Sequence, residues 1–124
     1  MIDLHTHTTA SDGRLAPVDL VARAAKAGVT VLSVTDHDTT AAAAASAAAC
    51  ALARIEFVPG IEITAVVDGT DIHILGYFLD PDAARLTVFL AQQRERRVDR
   101  IREMIKRLES LGVMRGIAVK VGSA

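Results

Sequence analysis

Disulfide-forming cysteines, long apolar runs and an excess of charge of one sign are all missing from this 124-residue sequence. Its single cysteine, Cys50, has no partner for a disulfide and is expected to be a small buried residue. No apolar run reaches the about 18 residues of a membrane-spanning helix, and the N-terminus lacks the basic and apolar regions of a secretory signal. The formal net charge of −1 excludes a chain-wide polycation built for nucleic acid. We therefore expect a cytoplasmic protein with no membrane segment.

The first two thirds of the chain alternate strand and helix patterns, with 51% hydrophobic residues, which is enough for one packed domain. "MIDLHTH" and "VTVLSVTD" predict strands, and the second has the β-branched pattern of a buried parallel strand. "APVDLVARAAKAG" predicts a helix that ends before Gly28, and "TTAAAAASAAACALAR" predicts one capped by Thr39 or Thr40. "IEFVPGIEIT" predicts a third strand, and "AVVDGTDIHILGYFLD" a hairpin turning at Asp68-Gly69. This order indicates an α/β fold.

A long helix is predicted from about Asp82 to Leu111, because apolar residues recur there at spacings of three and four before Gly112. We expect one apolar stripe of this helix to be buried against the sheet or a partner: Leu86, Phe89, Leu90, Ile101, Ile105 and Leu108. Its eight basic and five acidic residues are typical of a solvated face, with a track for RNA as the alternative. The residues after Gly112 predict either a short strand over 117–121 or a loose tail.

The four histidines and two of the carboxylates fall at or near the predicted strand ends, where α/β folds gather their functional groups. His5 and His7 are alternate residues of one strand and therefore face the same side. An isolated pair of this kind also occurs on ordinary exposed strands. If the sheet is parallel or barrel-like, six side chains converge on one rim: His5, His7, Asp12, His37, Glu62 and His73.

Glu62 carries the most information of the six, because it stands between Ile61 and Ile63. A carboxylate in that setting is costly to bury unless a cation or a hydrogen-bond donor meets it. The alternative for Glu62 is an outward-facing position on an edge strand, and the alternative for His73 is a hydrogen-bonded core histidine. Mixed imidazole and carboxylate ligands suit zinc, manganese or iron, and the absence of cysteine ligands argues against a closed structural zinc site.

Four motifs together resemble the N-terminal half of the PHP (polymerase and histidinol phosphatase) family of metal-dependent phosphoesterases: "DLHTHTTASDG", "SVTDHDTT", "FVPGIEIT" and "DIHILGYFLDPD". The resemblance covers residues 1–112 in order, and the residues after it, 113–124, would be a tail or the start of a continuation. The last two motifs look most like the branch that acts on nucleoside phosphates and short RNA, which includes phosphatases and exoribonucleases.

The resemblance implies part of a distorted (β/α)7 barrel, followed by the long helix, with a site for two or three divalent ions. By position, it makes metal ligands of His5, His7, Asp12, His37, Glu62 and His73, with Glu62 bridging two ions. Asp36 and Asp38 would orient imidazoles. Arg14 would reach the phosphate, although a surface arginine is the plainer interpretation. Water held on the metals would attack a nucleotide phosphomonoester or a terminal phosphodiester of short RNA.

The sequence departs from the family in having no fifth histidine, whereas family members carry further histidine and aspartate ligands in a second half of the barrel. Three interpretations follow: a fragment of a longer protein, a half-barrel that pairs with a second copy, or a degenerate remnant. We expect the fragment, with low activity on its own. We also expect self-association through the open edge of the half-barrel.

Two other functions remain open on the sequence. Amidohydrolases also begin with a His-x-His strand, but those proteins often bridge their metals with a modified lysine at a strand end. Here Lys26 and Lys106 lie on predicted helices and Lys120 lies in the tail, which disfavours that class. The remaining alternative is a non-catalytic metal-binding or interaction module that keeps the ligands of the first half-barrel.

Overall fold

Four strands and three helices alternate in the computed structural model, which describes residues 1–113. All of them except the last helix belong to one compact unit, residues 1–83, and the last helix belongs to a second unit that begins at Ala84. Their bounds are β1 Ile2–Thr6, α1 Pro17–Lys26, β2 Val31–Val34, α2 Ala43–Ala53, β3 Glu56–Val67, β4 Thr70–Tyr77 and α3 Ala84–Ser110.

The strands form one sheet in the order β1-β2-β3-β4. β1 pairs parallel with β2, and β2 pairs parallel with the first part of β3, up to Pro59. From Gly60 onward β3 pairs antiparallel with β4, through the predicted turn. Asp68 and Gly69 both have positive φ, at 50° and 76°, as a two-residue hairpin turn requires. The α/β prediction is confirmed, and the hairpin turns where the sequence placed it.

The sheet is strongly curled, because a side chain of its last strand contacts the backbone of its first strand. The Tyr77 hydroxyl on β4 donates a hydrogen bond to the Leu4 carbonyl on β1, at 2.9 Å. In a flat sheet these strands would lie about 14 Å apart, three strand spacings. This curl is the beginning of a barrel wall.

The apolar core lies between one face of the sheet and the helices α1 and α2. Its buried members come from both helices, from β2 and from the connecting segments: Val21, Ala24, Val29, Leu32, Cys50 and Ile55. Full burial of a side chain such as Leu32 contributes about 1.5–3 kcal/mol to folding. Cys50 is fully buried, as predicted, and burial raises the pKa of its thiol.

On the opposite face of the sheet, side chains of neighbouring residues pack closely over Gly60. A Cβ atom on this glycine would lie 2.3 Å from Ser33 Oγ and 2.9 Å from Thr35 Cγ2. Gly60 therefore permits close packing of β2 and β3 side chains. Glu62 follows two residues later on the same strand and so projects from this same face.

The predicted N-cap of α2 is wrong. The helix begins at Ala43 after Ala42, with no side-chain cap. The Thr39 hydroxyl instead accepts a hydrogen bond from the Ala41 amide, and the Thr40 hydroxyl donates to the Pro81 carbonyl. Because the Thr39 hydroxyl bonds within the preceding turn and the Thr40 hydroxyl bonds to a residue distant in sequence, neither caps the helix.

The helix α3 is shorter than predicted at its start, because the Asp82 amide donates to the Asp80 carboxylate and forms a turn. The helix stops before Gly112, which has a φ of 72°. Of its apolar stripe only Leu90 is buried, whereas Phe89, Ile101 and Leu108 are each more than one third exposed. The predicted burial of the whole stripe is therefore not met within residues 1–113. The possible strand over 117–121 lies outside the described residues.

None of the helices within residues 1–113 is both long and apolar enough to cross a membrane. The α3 helix reaches 27 residues, but its many charged side chains keep it far from the composition of a membrane span.

Candidate metal centre

Glu62 lies at the centre of the polar face of the sheet, with a side chain that is only 4% exposed. Its backbone is fixed on both sides by the segment after β2. The Glu62 amide donates to the Asp36 carbonyl at 3.1 Å, and the Asp38 amide donates to the Glu62 carbonyl at 2.9 Å. These two bonds place His37, the residue between the two aspartates, directly beside Glu62.

All four histidines of the chain surround the Glu62 carboxylate. Oε2 lies 3.0 Å from His5 Nε2, 3.1 Å from His7 Nε2 and 3.7 Å from His37 Nδ1. Oε1 lies 2.7 Å from His73 Nδ1. Strands β1 and β4, together with the segments that follow β1 and β2, therefore deliver imidazoles to a single buried carboxylate.

Asp12 closes the cluster from the loop between β1 and α1. Its Oδ1 lies 3.3 Å from His7 Nδ1, and its Oδ2 lies 3.4 Å from His37 Nε2. Its side chain is 67% exposed, so this carboxylate forms the solvent side of the cluster. The six residues singled out in the sequence are thus gathered in one place.

Glu62 and His73 do not lie at strand ends, contrary to the sequence prediction. Glu62 is in the middle of β3 and pairs with Leu75, and His73 is in the middle of β4 and pairs with Thr64. The two are diagonal neighbours on one face of the hairpin, which brings their side chains together. The curled hairpin therefore carries mid-strand residues to the place where β1 and β2 end.

Opposing influences act on the pKa of Glu62. Burial raises it, whereas the hydrogen bond from His5 and the charges of His37, His5 and His73 lower it, and the net effect is a lowered pKa. The carboxylate is therefore held in its ionised form, as a metal ligand must be.

Two of the imidazole nitrogens, His7 Nδ1 and His37 Nδ1, are buried and make no hydrogen bond within the described chain. They lie near carboxylate oxygens but without hydrogen-bonding geometry. Native proteins rarely leave buried polar atoms without a partner, and a bound ion is one recognised explanation. These nitrogens are the clearest sign that the cluster is shaped for cations.

The donor atoms form three overlapping groups, in each of which they lie within 4.8 Å of one another. The groups share Glu62, His7 and His37, each of which belongs to two of them. They are His5–His7–Glu62, His7–Asp12–His37 and His37–Glu62–His73. Nitrogen and oxygen donors at these spacings are suited to divalent metal ions in general.

The Asp36 carboxylate bonds to a loop and not to an imidazole, in contrast to the role predicted for it. Its carboxylate accepts bonds from the Thr8 amide, the Thr8 hydroxyl and the Ser11 hydroxyl. Asp38 has an unusual φ of 52° and accepts a bond from the Thr64 amide at 3.0 Å. Arg14 is exposed in the loop after β1, and its phosphate-binding role stays a prediction.

Three residues that shape the cluster were missed in the sequence: Thr8, Ser11 and Tyr77. Thr8 directly follows His7 and Ser11 directly precedes Asp12, and this proximity in "HTTASDG" is the signal that could have pointed to them. Tyr77 closes the curl of the sheet and is visible only once β1 and β4 are placed together.

The fold and the cluster define the chain as an α/β protein with a histidine and carboxylate site on the concave face of a curled sheet. The PHP domain model matches residues 3–118. The chain belongs to the PHP family.

Two curated relatives are similar over most of this chain. The 5'-3' exoribonuclease Rnm of Salmonella typhimurium is 46% identical over 109 residues, which cover 86% of this chain and 37% of the relative. The 3',5'-nucleoside bisphosphate phosphatase of Chromobacterium violaceum is 39% identical over 112 residues, which cover 90% of this chain and 39% of the relative. The chain thus spans less than half the length of the curated relatives it matches.

Two solved structures have the same fold. One, described as an amidohydrolase from Chromobacterium violaceum with bound sulfate and no metal, has a TM-score of 0.81 and 39% identity over 95% of this chain and 40% of its own. The other, from Bifidobacterium adolescentis and described as a metal-dependent phosphoesterase, has a TM-score of 0.77 and 34% identity over 87% of this chain and 38% of its own. The predicted resemblance to part of a PHP barrel is confirmed.

Proposed function

We propose that the cluster around Glu62 binds divalent metal ions and forms part of the active site of a phosphoesterase. The observation that carries this proposal is the convergence of four imidazoles on one buried, ionised carboxylate. Hydrogen bonding alone does not account for that arrangement, because three imidazole nitrogens lie 3.0–3.7 Å from the single oxygen Oε2, which has two lone pairs.

The ligands we propose are His5, His7, Asp12, His37, Glu62 and His73. Glu62, like His7 and His37, belongs to two of the three donor groups, and its carboxylate has two oxygens that could each bind an ion, so we propose Glu62 as the bridge. The orphaned Nδ1 atoms of His7 and His37 fit this proposal, since each would gain a partner in a metal ion. We propose two or three ions for the three donor groups, with manganese, zinc and iron as the candidates for this mixture of ligands.

Divalent ions bound here would supply an activated water and Lewis-acid stabilisation of a phosphate ester. The chain's own residues fix where this chemistry takes place. The buried Glu62 holds the negative charge that retains cations, and the half-exposed His5 and His73 leave the cluster open to solvent on their side. The exposed Asp12 lies within 3.3 Å of His7 and 3.4 Å of His37 on the solvent side of the cluster.

The proposed substrate is a phosphomonoester of a nucleotide or a terminal phosphodiester of short RNA. The names of the relatives, an exoribonuclease and a nucleoside bisphosphate phosphatase, support this class. The sulfate in the Chromobacterium violaceum structure supports an anion site in a protein with this fold. Arg14, in the loop that carries Asp12, is the cation we propose for the phosphate.

We further propose that residues 1–112 are the PHP portion of this chain and that the chain alone is a weak catalyst. Six donors are few for two or three hydrolytic ions, and the relatives are more than twice as long as the matched region. Self-association through the sheet edge and a cytoplasmic location stay predictions.

Amide hydrolysis is a second candidate, favoured by the description of one structural neighbour as an amidohydrolase. Two lysines lie within residues 1–113. Lys26 is exposed at the C-terminal end of α1, and Lys106 belongs to α3. Lys26 is on α1, which packs against the face of the sheet opposite to Glu62, so it is not placed to bridge metals in this cluster.

The test combines metal content with turnover. The chain is loaded with manganese or zinc and desalted, its metal is counted by mass spectrometry, and it is assayed on p-nitrophenyl phosphate, a short RNA and an amide. The matched variants are Glu62→Gln in the cluster and Glu56→Gln at the exposed start of the same strand.

Metal-dependent phosphate release, however slow, that is lost in Glu62→Gln and kept in Glu56→Gln supports the proposal. Stoichiometric metal with no turnover of any ester favours the non-catalytic module instead. Amide cleavage in preference to ester cleavage favours the second candidate. A wild-type chain that retains no metal contradicts the proposal outright.

A further inference from the structure

Asp36 has a buried carboxylate that binds a neighbouring loop through three hydrogen bonds. The residue is 2% exposed, and Thr8, its main partner, is fully buried. Oδ1 accepts from the Thr8 amide at 2.7 Å and from the Ser11 hydroxyl at 2.6 Å, and Oδ2 accepts from the Thr8 hydroxyl at 2.6 Å. Bonds of this length to an ionised acceptor are among the strong ones in proteins.

The loop that Asp36 binds is the one that carries Asp12. Its chain folds back tightly: the amides of Ser11 and Gly13 both donate to the Thr8 carbonyl, at 3.1 and 2.9 Å. A Cβ atom at Gly13 would lie 2.3 Å from the His7 carbonyl oxygen, so only glycine permits this approach. Asp12 therefore stands at the tip of a compact turn whose base is anchored on Asp36.

Asp36 also connects this turn to the rest of the cluster. It directly precedes His37, and its backbone carbonyl accepts the Glu62 amide at 3.1 Å. One residue thus joins the loop of Asp12, the segment of His37 and the strand of Glu62. The Asp36 side chain binds the loop of Asp12, and the Asp36 backbone makes the connections to His37 and to the strand of Glu62.

We infer that Asp36 is a positioning residue that sets Asp12 between His7 and His37 and thereby completes the donor group of these three residues. The inference rests on the proposed metal function of the cluster. Asp12 needs such support, because its own side chain is 67% exposed and its polar contacts within residues 1–113 are the two imidazoles and, at 3.5 Å, the hydroxyl of Ser11. A ligand on an otherwise free loop would spend much of its time away from the ion.

The substitution Asp36→Asn tests the inference, because the amide has no charge and offers one acceptor oxygen where the carboxylate offers two. We expect manganese affinity, measured by calorimetry, to fall by about 10–100-fold, the usual effect of losing a group that orients a ligand. The matched control is Asp19→Asn, an exposed aspartate in the first turn of α1, which should leave the affinity unchanged.

A double-mutant cycle with Asp12→Asn separates positioning from general structural damage. If Asp36 acts through Asp12, then Asp36→Asn causes no further loss of affinity once Asp12→Asn is present. An equal loss in both backgrounds would overturn the inference and leave the proposed function intact. A wild-type chain that binds no manganese would overturn both.

Three milder variants keep the test decisive if Asp36→Asn does not fold. Ser11→Ala removes one of the three hydrogen bonds, and the pair Thr8→Ser and Thr8→Val respectively keeps and removes the buried hydroxyl. We expect Thr8→Ser to retain most of the affinity that Thr8→Val loses. In the metal-free protein, hydrogen exchange of the Ser11 and Gly13 amides should quicken in Thr8→Val and Ser11→Ala but not in Asp19→Asn. Unchanged hydrogen exchange and unchanged manganese affinity in both Thr8→Val and Ser11→Ala would refute the inference.

Discussion

Replacing Glu62 by glutamine should abolish metal binding more completely than any other single change in the cluster. Glu62, His7 and His37 each belong to two of the three donor groups, but Glu62 is the anion among the three, and four imidazole nitrogens lie within 2.7–3.7 Å of its oxygens. Glutamine has nearly the same shape but no charge, and its amide group is a donor on one side. The substitution therefore removes the bridging anion while disturbing the packing of β3 very little.

The expected size of the effect follows from these counts. Loss of a group that merely orients a ligand lowers metal affinity by about 10–100-fold. Loss of a ligand shared by two donor groups should exceed the upper limit, so we expect a decrease of more than about 100-fold, or about 2.8 kcal/mol. Asp12→Asn should cost less, because Asp12 belongs to one group only and its side chain is 67% exposed.

Calorimetric titration with manganese is the assay, with circular dichroism to verify that each variant is folded. Glu56→Gln is the control, since Glu56 is exposed on the same strand. Two results would contradict the role of Glu62 as the shared metal ligand. One is a folded Glu62→Gln protein that binds manganese within about threefold of the wild-type affinity. The other is a larger loss of manganese affinity in Asp12→Asn than in Glu62→Gln.

The remaining predictions concern packing, pH and the histidines. Gly60→Ala should destabilise the fold by about 1–3 kcal/mol through overpacking against Ser33. Gly76→Ala, whose new Cβ would lie at an ordinary 3.5 Å from its neighbour, should change stability by less than about 1 kcal/mol, and urea unfolding compares the two. Because the pKa of Glu62 is lowered in the fold, its stabilising contribution is fully present above the ordinary value of 4.5 and is lost as the pH falls through the lower folded value. Urea unfolding at pH 6 and near pH 3 should therefore show a steeper acid loss in wild type than in Glu62→Gln, and equal slopes would contradict the assignment. His37→Ala should weaken manganese binding more than His5→Ala, since His37 belongs to two donor groups and His5 to one; the reverse order in calorimetry would show that group membership does not govern affinity.

The sequence predicted the strands, the helices and the hairpin well because each depends on local patterns. β2 is recognisable from its β-branched residues, and the turn of the hairpin from the Asp68-Gly69 pair. The cap of α2 was predicted wrongly because the Thr40 hydroxyl bonds to Pro81, a contact 41 residues away that local preference does not reveal. The apolar stripe of α3 was expected to be buried for the same local reasons, and the described residues leave most of it exposed.

The six residues of the cluster could be predicted because histidines are few and all occur in motifs. Their arrangement could not. Glu62 and His73 meet as diagonal neighbours across an antiparallel pair, which depends on the register of β3 and β4. The hydrogen-bond partners of Asp36 lie 28 and 25 residues away in sequence. The sequence alone therefore could not show that Asp36 bonds to a loop and not to an imidazole.

Anomalous diffraction from crystals of the chain grown with manganese would show directly whether the Glu62 cluster binds metal. We expect at least one anomalous peak at bonding distance, about 2.0–2.3 Å, from the Glu62 carboxylate and from two or more of the surrounding imidazoles. Manganese bound elsewhere on the chain, with the Glu62 cluster free of anomalous density at saturating metal, would contradict it.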